Sequence, residues 1–138
     1  MKFNSRTNFY ASFFQYAQNI PIGPNDFAFP DDQIDETNTD ALVVLTVYPI
    51  SSPWTITDTD IKQLTDQCAR LNIQAKRRML IRFGPEMNGY WTPLFPYQQQ
   101  PSQFIALWRR VSVAIKAACP TTGMIWAPNF GTNCNASF

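Results

Sequence analysis

Glu86 is one of only two glutamates in this 138-residue chain, and it stands at the end of the most strand-like run in the sequence, "LIRFGPEMNGYW" at 80 to 91. The other, Glu36, sits in an acidic, loop-like stretch where solvation accounts for a charge. Desolvation beside aromatic surface favours the neutral form of a carboxylic acid, which suits a proton donor. The same residue type can equally pair with a surface lysine or cap a turn. Trp91 and Trp126 carry a similar ambiguity. An indole is a core filler, or a flat apolar platform with an N–H handle on which a sugar ring stacks.

The elements that must hold these residues can be read from pattern. Runs at 13 to 19, 41 to 48, 78 to 84 and 123 to 129 are rich in β-branched and aromatic residues and read as strands. A helix is expected from about Thr57, where Thr57 and Asp60 have capping spacing and Ile61, Leu64, Cys68 and Leu71 recur at helical intervals. A second follows Pro101, with Phe104, Trp108, Val111 and Ile115 on one stripe. The Pro-, Asp- and Asn-rich stretch between the first two strands reads as loop, with room for a short helix near 31 to 37.

Strands alternating with helices predict an α/β fold with a parallel sheet and crossover helices. In such folds, functional groups gather at the carboxyl ends of the strands. The segment endings here are polar and aromatic: Gln18 and Asn19, Tyr48, Glu86, and Trp126 through Asn129. Alternation along the third strand places Leu80, Arg82, Gly84 and Glu86 on one face and Ile81, Phe83 and Pro85 on the other. Arg82 then reads as an organiser of other polar groups rather than a reacting group.

Composition excludes several function classes. Eleven basic and ten acidic residues are scattered along the chain, leaving a net charge of +1 and no electrostatic footprint for nucleic acid or an anionic membrane. The longest apolar run, 41 to 48, is strand-sized and far short of a membrane span. The three cysteines lack metal-ligand spacing and the chain contains no histidine, so no metal site is expected. Cys68 and Cys119 fall on helical patterns, where a small buried hydrophobe is the ordinary role. No Gly-rich phosphate loop follows any strand, which argues against an open-sheet nucleotide-binding domain, and no cofactor is expected.

The motif "LIRFGPEMNGYW", followed by "QQPSQFIALWRRVSVAIKAACPTTGMIWAPN", resembles glycoside hydrolase family 26, the β-mannanase-type family, and its fungal members in particular. "FFQYAQNIP" and "ALVVLTVYPI" are similar to segments preceding that motif, so the resemblance spans nearly the whole chain. It implies a (β/α)8 TIM barrel that cleaves a β-linked polysaccharide with retention. Residues 1 to 138 would form about four of its eight β/α units, a partial catalytic domain truncated at both ends.

In that family the glutamate matching Glu86 is the general acid/base, which protonates the leaving oxygen and then deprotonates the incoming water. Arg82, Asn88, Trp91, Trp126, Asn129 and Tyr48 are the positions expected to line or organise the sugar site. The partner would be a polysaccharide or oligosaccharide, most readily a β-1,4-mannan. Secretion is expected from the family alone, since "MKFNSRTNFY" has no signal-peptide pattern. Exposed sheet edges would also make self-association of a partial barrel expected.

Two departures from the family pattern bear on activity. Pro85 stands where the family commonly has a histidine. From Met87 to Phe138 there is no aspartate or glutamate, so the second carboxyl group of a retaining mechanism is expected to be absent and the chain alone inactive. The alternative is a non-catalytic or degenerate carbohydrate-binding protein that retains the aromatic cleft.

Overall fold

The computed structural model describes residues 13–22, 42–49, 55–89 and 101–130. The order of elements is β1 (Phe13–Ile22), β2 (Leu42–Pro49), α1 (Asp58–Ala69), β3 (Met79–Phe83), α2 (Pro101–Ala118) and β4 (Gly123–Ile125). The four strands form one sheet in the order β1-β2-β3-β4, with every neighbouring pair parallel. The fold is therefore α/β, as the alternation of patterns predicts. The expected short helix near 31 to 37 lies outside the described residues.

The helix α1 begins where its sequence says it should. Thr57 is extended and accepts the Asp60 N–H on its hydroxyl at 3.2 Å, while the Asp60 carboxylate accepts the Thr57 N–H at 2.7 Å. This reciprocal box satisfies two donors that a helix start otherwise leaves open. Asp58 and Asp60 also place negative charge at the positive end of the helix dipole.

The helix ends in a π-helical turn, Arg70–Gln74, closed by Lys76 in the left-handed region at φ 56°. Ala75 and Arg77 donate back to the carbonyls of Arg70 and Leu71, each at 2.9 Å. Asn72 fixes this corner. Its amide donates to the Arg77 carbonyl and accepts from the Thr121 hydroxyl, both at 2.8 Å, so the entries to β3 and β4 are held together.

Alternation along the strands decides which face is buried. Val43, Leu45 and Val47 of β2 and Met79, Ile81 and Phe83 of β3 pack with Ile61, Leu64, Cys68 and Leu71 beside α1 and with Leu107, Val111 and Ile115 of α2. Both helices thus cover the same face of the sheet. Burying a Leu, Ile or Val fully is worth about 1.5–3 kcal/mol, so this layer contributes strongly to folding. On the other face Val44, Tyr48, Leu80, Arg82 and Ile125 are half-buried.

Four expectations need adjustment. Strand β1 runs on to Ile22 with a slip in register between Tyr16 and Ile20, so Gln18 and Asn19 lie inside the strand and not at its end. Strand β4 stops at Ile125, so Trp126 to Asn129 follow the strand. On α2 Phe104, Val111 and Ile115 are buried as expected, but the fully packed stripe also takes in Leu107, which continues the i, i+3, i+7 line from Phe104, and Trp108 sits at its margin. Strand β3 ends at Phe83, and the left-handed Gly84 (φ 55°) breaks the alternation expected to carry on to Glu86.

Candidate functional site

Beyond β3 the chain turns over Pro85 to Asn88, and Glu86 occupies that turn at φ 57°. A non-glycine residue in the left-handed region costs roughly 1–2 kcal/mol, so surrounding contacts must hold it there. The Glu86 N–H donates to the Ala127 carbonyl at 2.7 Å, just past the end of β4. The Glu86 carbonyl accepts from the Gly89 N–H at 2.8 Å, and the Gly84 N–H reaches back to Val47 on β2 at 2.8 Å. The carboxylate-bearing residue is half-buried.

Two flanking side chains fix the turn. Met87 is wholly buried and forms a small apolar cluster with Phe104 and Trp108 of α2. Asn88, 2% exposed, donates its amide N–H to the Asn129 carbonyl at 3.0 Å and accepts the Asn129 N–H at 2.7 Å. The ends of β3 and β4 are thereby joined three times: once through the Glu86 backbone and twice through Asn88. Nothing in the sequence alone assigns Met87 a role. Its signal is an apolar residue between a glutamate and an asparagine, which is uninformative until α2 is seen to lie underneath.

Trp126 leaves β4 on the side of α2. Its ring lies 5.8 Å from Phe104 at 53° and 5.2 Å from Trp108 at 81°, an edge-to-face arrangement. Trp126 is 37% exposed and, with Ile105, Trp108 and Arg109, lines an open groove of about 430 Å³. The Trp108 indole N–H is buried and has no acceptor among the described residues.

Arg82 belongs to the opposite, half-buried face, in register with Thr46 of β2 and Ile125 of β4. Tyr48 is half-buried, one residue before the end of β2. The structure therefore gathers Glu86, Asn88 and Asn129 at one place, with Trp126 on the helix side of it and Arg82 on the sheet's other face. Trp91 lies outside the described residues.

Among the described residues there are four acids, and three of them belong to α1. Asp60 is committed to the capping box, Asp58 pairs with Arg110 of α2 at 2.6 Å, and Asp66 pairs with Lys62 one turn away. That leaves Glu86 as the one described acid at a strand end. Among these residues no group of His, Cys, Asp and Glu could hold a metal ion, and no helix is long and apolar enough to cross a membrane. Comparison with family models, curated proteins and solved structures gave no match.

Proposed function

We propose that this chain is part of a retaining glycosidase of the family 26 type, acting on a β-1,4-linked polysaccharide of the mannan class, with Glu86 as its general acid/base. The observation that carries the reading is the backbone of Glu86. A glutamate is held in a left-handed turn beyond a parallel strand and tied to the next strand's end, where glycine would be easier. Strain of this kind concentrates at functional sites.

Strand order supports the barrel part of the proposal. Four parallel strands follow one another in sequence order, and both helices cover one face. A doubly wound open sheet would reverse its strand order and put helices on both faces. A (β/α)8 barrel repeats the arrangement seen here, keeping its helices outside and its second sheet face for the interior.

Retention needs a second carboxyl group roughly 5–5.5 Å from the first. The described acids besides Glu86 are engaged on α1, and none follows Glu86 in the sequence. Without a second carboxylate beside Glu86, the chain would bind sugar without hydrolysing it. The same observation favours the second reading, a carbohydrate-binding protein without catalysis.

Titration of the chain with β-1,4-manno-oligosaccharides, followed by tryptophan fluorescence, tests the sugar site. Saturable binding that Glu86→Ala weakens several-fold is expected, and absence of any binding would overturn the proposal. Release of reducing ends from mannan by the chain, lost in Glu86→Gln, would instead show that a second carboxylate lies within these 138 residues.

A further inference from the structure

Cys68 belongs to the last turn of α1 and Cys119 follows the last residue of α2, so the two helices each bring one thiol to the same point of the core. Both are free, and both are wholly buried. The Thr122 hydroxyl lies 3.5 Å from the Cys68 sulfur. The Thr122 N–H donates to the Cys119 carbonyl at 3.0 Å, so one threonine adjoins both cysteines. A solitary buried thiol is an ordinary small hydrophobe. Two thiols that two helices bring to one threonine differ from a covalent cross-link by two hydrogens.

We propose that Cys68 and Cys119 are a disulfide-forming pair that ties α1 to α2, closed as the chain folds in the presence of a small-molecule disulfide such as glutathione disulfide. The thiolate of one cysteine attacks the oxidant, forming a mixed disulfide and expelling one thiolate. The thiolate of the other cysteine then attacks the protein sulfur of that mixed disulfide, closing the Cys68–Cys119 bond and expelling the second. The two cysteine protons end on the two released thiols, and the two electrons pass to the oxidant.

Timing follows from burial. In the folded, reduced chain neither sulfur is open to solvent, and burial together with the neighbouring Cys68 thiol pushes Cys119 up to about 12. Little Cys119 thiolate is then present at neutral pH, and thiolate is the reacting form. The cross-link therefore belongs to the folding reaction and not to a switch on the finished surface. Cys134 lies outside the described residues and is the competing thiol.

The test is to refold the reduced full chain from denaturant with a mixture of glutathione and its disulfide, alkylate the remaining thiols and map the peptides. A Cys68–Cys119 linked peptide, two hydrogens lighter than the separate pair, is expected, with Cys134 outside the bridge. Already folded, reduced chain given the same mixture without denaturant should form the bridge at least about tenfold more slowly. The Cys134→Ser chain should give the same bridge on refolding. A bridge that joins Cys134 to either cysteine, or refolded chain in which Cys68 and Cys119 both remain alkylatable, overturns the proposal.

Discussion

Asn88 and Asn129 exchange hydrogen bonds in both directions, side chain to backbone, across 41 positions of sequence. The pair turns two loose strand ends into one surface and holds Glu86 beside it. Asn88 is almost fully buried, so its amide is used for positioning and is not free to meet a ligand.

Replacing Asn88 with alanine removes both bonds to the Asn129 backbone. The expected loss is about 1–3 kcal/mol, read as a lower urea midpoint with an unchanged slope. Asn88→Asp should recover only part of it, since a carboxylate keeps the acceptor but has no N–H to give. Oligosaccharide affinity should fall in both variants along with the geometry of the turn.

Among the described residues two non-glycines share the left-handed conformation, Lys76 and Glu86, and they should respond alike in stability and differently in binding. Glycine at either position removes the steric cost, offset by its freer unfolded chain, for a net gain of about 1 kcal/mol or less. Lys76→Gly should leave sugar binding unchanged. Glu86→Gly should weaken it, and a variant that gains stability while losing binding would mark Glu86 as retained for function. Equal binding by both variants would count against the proposed role.

The Thr57 hydroxyl and the Asp60 carboxylate cap α1 reciprocally. Thr57→Ala should cost about 1 kcal/mol, and Thr57→Ser should restore most of it. Thermal unfolding of the three chains under one set of conditions is sufficient to rank them.

Alkaline pH should weaken the reduced fold through Cys119. Its thiol is pushed from 9.0 up to about 12, chiefly by burial and then by the Cys68 thiol. Between those values the unfolded chain releases the proton that the folded chain keeps, so stability falls as pH rises. The contribution is intact below about 9 and declines from there towards 12. Urea midpoints across this range should drop more steeply for the wild-type chain than for Cys119→Ala, which has no thiol to ionise.

Much of the fold was legible because it depends on local pattern. Thr57 and Asp60 announced the start of α1, Phe104, Val111 and Ile115 gave the buried stripe of α2, and the runs around Leu45 and Ile81 gave the central strands. Leu107 was missed because several nearby apolar residues fit a helical stripe, and only the docked sheet decides between them. Glu86 was legible as an oddity of residue type. Its strained backbone was not, since the alternation that placed it on a strand face ends at Gly84. The tie from Asn88 to Asn129 has no local signature, and the turn of Trp126 towards Phe104 and Trp108 depends on where α2 comes to rest.

The sequential strand order also constrains how the chain is made. A ribosome delivers β1 first, and each later strand adds to an edge that already exists, so no strand has to wedge between two that have already paired. Growth of this kind has no natural stopping point. Strand β4, with one described neighbour and only three residues in its ladder, is a template on which another parallel strand could be laid without disturbing anything before it.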